Sequence, residues 1–437
     1  MGVTNKLFFL CSFVLYSNLS FSLESNNLHS HKIDSSFFSF LFSSDVQSLP
    51  TFRIGLLLPF CNEKNDSLHN LNIDSILSNN SSNIEPYKFY KKSSISIDFF
   101  LGFLLSLNKI NEINVELNIY DIDEGEKSKT ILNNFLKNEN SDDFDLIIGP
   151  LYIDNFLYFS KNSSSSTPIV NPFSKKSFVI DSLENIFQVQ SDVTDYLSQF
   201  SNYIFNKHKD DHIILVHKDT VYKNNFIINE FNDTLNLIDT IVPDDIFYTN
   251  LMINDIDTTN FNFTQIKVAN TVIDSIHHKL DTMGMKNIVV IPSNDNVFVT
   301  DILSKLHACR DSGMTVYGLN NLFDFEYLSV HELMDLNVSF PHSSIDTNSV
   351  ISSFIVDFYN EYDYLPQIKY AKKGFEIGLY FFDLLSKHQS ILNHISDMEP
   401  KIYLETQYDF RKCKSGGFRN QGFMILRYHD FGYKQLF

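Results

Sequence analysis

The stretch T-F-R-I-G-L-L-L-P-F, residues 51–60, decides how this chain folds. Ile54, Leu56, Leu57 and Leu58 follow one another almost without a polar break, and Pro59 ends the run. A strand with one wet face alternates, whereas a strand covered on both faces reads as continuously apolar. The pattern therefore predicts an inner strand of a parallel sheet. Proline cannot donate to a ladder and fixes its own φ, so the strand stops there. Pro59 and Phe60 then fall at the carboxyl end of the strand, where open α/β sheets place their ligands.

The same alternation continues from Phe52 onward: a short apolar strand, ten to twenty residues of helical periodicity, then another strand. That is the signature of βαβ units. One set of strands spans 53–59, 115–121, 145–152 and 168–173, with helices at 97–110, 129–137 and 154–161. A second set spans 212–219, 245–250, 287–293 and 314–320, with helices at 264–281 and 296–310. Two sheets imply two lobes. The chain continues through a strand at 336–341 and helices at 349–362 and 370–387. It ends in two strands joined through Gly416-Gly417, glycine supplying the positive φ of a tight reversal. Residues 23–51 read as a polar linker and 61–94 as an Asn/Ser-rich loop insertion.

Strand after strand ends in turn residues: L-L-P-F, I-I-G-P-L-Y, I-V-N-P-F-S, V-I-P-S-N-D and Y-G-L-N-N. Each sets backbone amides and small polar side chains at a sheet's carboxyl edge, where the next helix offers unpaired N–H groups. Catalytic motifs are absent: no H-E-x-x-H, G-x-S-x-G, Walker loop, G-x-G-x-x-G or C-x-x-C occurs. His277-His278 and the H-A-C at 307–309 sit on expected helices, where neighbours point apart, and His212 and His217 point to opposite faces of one strand. The reading is a non-enzyme with no cofactor and no metal.

The amino terminus carries Lys6, an apolar core from Leu7 to Tyr16 and the small polar S-F-S, a secretory-signal pattern with cleavage after Ser22. Its loss removes one lysine and no acid, taking the net charge from −19 to −20. Such a charge excludes nucleic acid and anionic membrane as bulk partners. No later stretch has the length of a membrane span, and 43% hydrophobic residues in 437 supply a globular core rather than a disordered chain. Cys61, Cys309 and Cys413 remain, an odd number too widely spaced to form a disulfide scaffold.

In I-G-L-L-L-P-F, F-F-L-G-F-L-L-S-L-N, D-L-I-I-G-P-L-Y, T-P-I-V-N-P-F-S, N-I-F-Q-V-Q-S and G-G-F-R-N-Q-G-F-M-I-L-R-Y, taken in order, the chain resembles type I periplasmic binding proteins, the branched-chain amino-acid receptor family. Within it, the chain is similar to a Gram-negative subgroup often fused to LysM repeats, for which residues 23–51 are too short. The resemblance implies an α/β fold of two lobes, each a parallel-sheet sandwich, with three hinge crossings. Lobe 1 would comprise 52–188 and 337–398, and lobe 2 would comprise 189–336 and 399–437. It also implies a periplasmic or envelope location and capture of a small ligand in an interlobe cleft by hinge closure.

Carried onto this sequence, the first wall of the cleft is Pro59, Phe60, Gly149, Pro150, Leu151, Tyr152, Asn171 and Ser174. The second is His217, Lys218, Asp219, Tyr222, Ser293, Asn294, Asn320 and Asn321. Amino-acid receptors of the family place an acid near the Y-G-L-N-N position, and this chain has amides there. An amide holds a cation weakly, so amino-acid binding would need Asp219, Asp295 or Asp324. The competing reading is an envelope scaffold or regulator of cell-wall synthesis. It rests on similar L-L-L-P and I-G-P-L motifs in outer-membrane lipoproteins that activate peptidoglycan synthases.

Overall fold

The computed structural model describes residues 30–33, 49–68, 89–164, 166–176, 183–218, 244–268, 276–281, 284–310, 313–345, 348–414 and 416–437. The expected signal sequence, Asp219, Tyr222 and most of the 61–94 insertion lie outside them. The described residues form two compact units, residues 1–191 with 346–421 and residues 192–345 with 422–437. The chain thus passes between them three times.

In the first unit the strands are β1 (Ser30–Ile33), β2 (Thr51–Leu58), β3 (Asn114–Asp121), β4 (Leu146–Ile148), β5 (Ile169–Asn171) and β6 (Ile186–Gln188). Late in the chain come β12 (Lys401–Tyr403), β13 (Thr406–Tyr408), β14 (Phe410–Cys413) and β15 (Gly416–Asn420). The sheet order is β1-β3-β2-β4-β5-β6-β15-β14, parallel from β3 to β15 with an antiparallel strand at each edge. β12 and β13 make a separate hairpin.

The opening stretch behaves as its composition requires. On β2, Phe52, Ile54, Leu56 and Leu58 enter one core, and Leu57 enters another on the opposite face. Gly55 shares that second face, where an added Cβ would stand 3.2 Å from the Phe144 ring.

One face is covered by α1 (Lys91–Leu107), α8 (Asn348–Tyr362) and α9 (Ile368–His388). The other is covered by α2 (Glu126–Asn138) and α3 (Ile153–Asn162).

The second unit holds β7 (His212–Lys218), β8 (Phe263–Val268), β9 (Asn287–Val290), β10 (Thr315–Tyr317), β11 (Ser339–His342), β16 (Met424–His429) and β17 (Gly432–Gln435). Their order is β17-β16-β11-β10-β9-β7-β8, parallel from β8 to β11. Ile213 and Leu215 of β7 face one core, Ile214 and Val216 the other. Its helices are α4 (Val193–Lys207), α5 (Asp244–Ile253), α6 (Asn296–Cys309) and the short α7 (Val330–Asp335). Among the described residues no helix is long and apolar enough to cross a membrane.

Several expectations are corrected. Residues 245–250 are helical rather than extended, and the 264–281 helix begins instead with strand β8. In β8 only Ile266 and Val268 are buried, so its alternating pattern belongs to an edge strand that a helical template also accommodates. The linker contributes β1, and the insertion contains helix at 62–68. Residues 399–421 join the first unit, not the second, because β15 pairs in parallel with β6, Phe418 and Phe187 stacking at 4.8 Å, and residues 337–345 join the second, not the first, because β11 lies between β10 and β16 in its sheet.

Asp98, buried on α1, accepts hydrogen bonds from Tyr364 Oη at 3.0 Å and the Gln367 N–H at 3.1 Å, tying the loop between α8 and α9 to α1. Burial outweighs both bonds and raises its carboxyl to about 6. The native state therefore holds this proton more tightly than the unfolded chain. Stability falls as pH rises from about 4 through 6, by about 3 kcal/mol in all. Asp98→Asn keeps an acceptor for the Gln367 N–H and removes the titration. Thermal unfolding from pH 4.5 to 7.5 should show the variant gaining stability over the wild type as pH rises, with near equality at the acid end.

Candidate functional site

At the carboxyl edge of the first sheet, the end of β2 is clamped by Asp121, the last residue of β3. Its carboxylate accepts the N–H groups of Phe60 (2.9 Å), Cys61 (3.1 Å), Asn62 (3.0 Å) and Asp123 (2.9 Å). The carbonyl of Pro59 accepts from Ser96 Oγ, and that of Phe60 from Asn65 Nδ2 and Ser93 Oγ. Pro59 and Phe60 are thus buried and fully engaged. They shape the edge rather than contact solvent. Burial, reinforced by Asp123 and Asp121, pushes the Cys61 thiol up to about 12, which makes it a poor nucleophile. Beside it, Lys64 and Lys92 hold Glu124 down at about 2, and Tyr90 Oη donates to it at 2.8 Å.

Gly149 follows β4 with φ +92°, and a Cβ there would come within 2.4 Å of the Leu57 carbonyl oxygen. Only glycine fits this position. Pro150 and Leu151 are buried, while Tyr152, at the start of α3, is half-exposed with Lys92 Nζ 5.6 Å from its ring centre. Asn171 ends β5 in register with Gln188 at the end of β6. Asn171 Oδ1 accepts from the Ser174 N–H at 2.7 Å, and Gln188 Nε2 donates to the carbonyls of Ser174 (2.9 Å) and Lys176 (3.3 Å). These backbone partners fix both amide orientations. Asn171 Nδ2 and Gln188 Oε1 have no hydrogen-bond partner among the described residues, although both are buried. Ser174 above them is half-exposed.

At the carboxyl edge of the second sheet, His217 is buried: Gln265 Nε2 donates to its Nε2 at 2.7 Å, and its Nδ1 faces the Lys218 carbonyl at 2.9 Å. Lys218 pairs with Asp295, whose carboxylate also caps α6 through the N–H groups of Val297 (3.0 Å) and Phe298 (3.2 Å). Lys218 lowers the Asp295 carboxyl. Buried Ser293 accepts from the Asp295 N–H at 3.1 Å. Three half-exposed amides lie on this edge. Asn294 Nδ2 donates to Tyr248 Oη at 3.1 Å, Asn321 Nδ2 donates to Asn296 Oδ1 at 3.0 Å, and Asn320 makes no side-chain bond to a described residue. The Oδ1 atoms of Asn294 and Asn321 have no partner among the described residues.

The expected wall residues therefore fall into two groups. Tyr152, Ser174, Lys218, Asn294, Asn320 and Asn321 reach the surface of their own edges, whereas Pro59, Phe60, Gly149, Pro150, Leu151, Asn171, His217 and Ser293 lie beneath. Both groups gather at strand ends because the right-handed crossover returns each loop to the same edge of its sheet. The sequence reading missed Gln188, Lys92, Tyr248 and Asn296. Gln188 alone carried a signal, a polar residue closing the apolar N-I-F-Q.

No protein-family model and no curated protein matches the chain. Among solved structures, one from Rhodospirillum rubrum, assigned as a branched-chain amino acid ABC transporter, aligns with 88% of this chain and 100% of its own, at 10% identity and a TM-score of 0.52. The fold is that of the type I periplasmic binding proteins. Also similar to this chain are the C-domain of Haemophilus influenzae LpoA, a regulator of PBP1A (10% identity, 88% and 100% coverage, TM-score 0.45), and a Desulfitobacterium hafniense ABC transporter substrate-binding protein in complex with Leu (14%, 88% and 100%, 0.41). In the type I fold as built here, each sheet's carboxyl edge carries uncharged hydrogen-bonding groups. Two of the acids expected to substitute for a receptor's carboxylate are already engaged. Asp295 is held by Lys218 and α6, and Asp324 accepts from Tyr433 Oη at 3.0 Å.

Proposed function

We propose that the chain is an exported, non-enzymatic binding protein that captures a small polar, non-cationic solute at the carboxyl edges of its sheets. The observation that carries this is the second sheet's row of half-exposed amides, with the Asn294 and Asn321 oxygens unpartnered among the described residues. Buried or half-buried polar atoms left unpaired cost stability, so a surface that retains them is suited to a ligand that pairs them. Tyr152 and Ser174 supply an aromatic face and a hydroxyl on the first edge. The engagement of Asp295 and Asp324 disfavours a free amino acid, whose ammonium asks for a carboxylate. The secretory pattern at residues 1–22 supports a periplasmic location.

Thermal-shift screening of short peptides, sugars, muropeptides and amino acids tests this. At a hundredfold excess over its Kd, a bound solute stabilises the fold by about 2.7 kcal/mol. Asn294→Ala and Asn321→Ala, on the edge that carries the unpaired amide oxygens, should each abolish the shift. Amino acids should give none. If no solute shifts the wild type and pull-downs return a cell-wall synthase, the regulator reading replaces this one.

A further inference from the structure

At the far end of α9 the chain turns sharply. Gln389 adopts φ +56°, the left-handed cap that ends the helix, and a short helix, α10 (Ile391–His394), runs into a single 3-10 turn at Ile395–Asp397. Ile391 and Ile395 are buried in the same core as Leu384 and Leu385, so the reversal is held from beneath by packing. Three side chains converge above it. His388 and His394 stack with ring centres 4.9 Å apart and planes 10° from parallel, and His394 Nδ1 lies 3.0 Å from Asp397 Oδ2. One donor atom from each of His388, His394 and Asp397 lies within 4.8 Å of the others.

We propose that His388, His394 and Asp397 form a binding site for a borderline divalent transition metal, zinc first among them. Two imidazoles and a carboxylate are a donor set such ions take, and a hard cation such as calcium would ask for more oxygens. Zinc bonds of about 2.0–2.2 Å place tetrahedral donors about 3.3 Å apart. The His394–Asp397 pair already meets that spacing. His388, half-exposed, closes the remainder by side-chain rotation. The nearby cations are occupied: Lys387 and Lys401 both pair with Asp383, at 3.0 and 2.9 Å. The metal joins the last residue of α9 to the turn leading into β12, and solvent fills its remaining coordination position.

The test is titration of the purified chain, stripped with chelator, with zinc alone, followed by calorimetry and by thermal unfolding. The expected result is a site lost together with its thermal stabilisation in His388→Gln, His394→Gln and Asp397→Asn. Each histidine variant should weaken binding at least about 10–100-fold, the range that loss of a mere supporting contact produces. Imidazole resonances followed by NMR identify the titrating histidines independently of affinity, and circular dichroism confirms that the variants fold. Absence of zinc binding by the wild type overturns the proposal. So does zinc binding that all three variants retain, or that broadens other histidines and leaves 388 and 394 unmoved.

Discussion

Gly374→Ala is expected to lower the melting temperature of the first unit by roughly 6–12 °C, corresponding to a loss of about 3 kcal/mol. On an exposed helix the same change would stabilise by nearly 1 kcal/mol, because alanine is the better helix former. The sign reverses here because α1 and α9 cross with their backbones in contact. A Cβ at Gly374 would sit 2.0 Å from the Phe99 carbonyl oxygen, and one at Gly102 would sit 1.9 Å from that of Ala371. Neither obstacle can rotate away. The helices must separate, loosening the aromatic packing around Phe103 and Phe382, whose ring centres lie 5.2 Å apart. Gly378→Ala should cost less, since its first contact is the hydroxyl of Ser106, and adding Ser106→Ala should recover part of the loss. Calorimetry on the two single variants and the double variant checks the order.

Glu376→Ala is expected to cost about 3–5 kcal/mol. Glu376 is buried on α9 and accepts from the N–H groups of Glu405 (3.4 Å) and Thr406 (3.2 Å), from Thr406 Oγ1 (3.0 Å) and from Tyr408 Oη (3.4 Å). It thereby holds the β12–β13 hairpin to the helix. Its charge is balanced by Lys373 Nζ at 3.4 Å, and burial lowers the Lys373 ammonium from its ordinary value although Glu376 opposes this. Truncating the acid leaves a buried cation with no counter-charge. In the variant the unfolded chain binds that proton more tightly than the folded one, so stability should be recovered as pH rises through the folded lysine's depressed pKa toward its unfolded value near 10.4. Glu376→Ala with Lys373→Met should be more stable than Glu376→Ala alone, because the orphaned charge is gone. A double variant no better than the single one would place the cost in the lost hydrogen bonds instead.

The inner strands were legible because burial on both faces leaves a mark in composition. Ile54, Leu56, Leu57 and Leu58, or Ile213 to Val216, read as continuous apolar runs whatever they pack against. Edge elements carry no such mark. β8 alternates over too few residues to exclude a helix, and β1 lies in a polar segment whose pairing with β3 is made by backbone groups that sequence does not vary. The turn residues at the strand ends announced where the sites lie, since a strand followed by Pro, Gly or Asn stops and yields its edge. They did not announce which side chain lies beneath another. Asn171 and Gln188 are separated along the chain and became neighbours through the β5–β6 register.

By itself the sequence determined the alternation of strand and helix, the two sheets and the polar character of their carboxyl edges, because these follow from local periodicity and backbone chemistry. Tertiary structure alone decided that residues 399–421 return to the first unit, where Phe418 stacks on Phe187 and Glu376 anchors Thr406. It also decided that His388, six residues from His394 across a left-handed turn, meets it face to face. Neither helical nor strand spacing brings such positions together. Contacts of that kind depend on where the chain reverses and on what packs beneath the reversal.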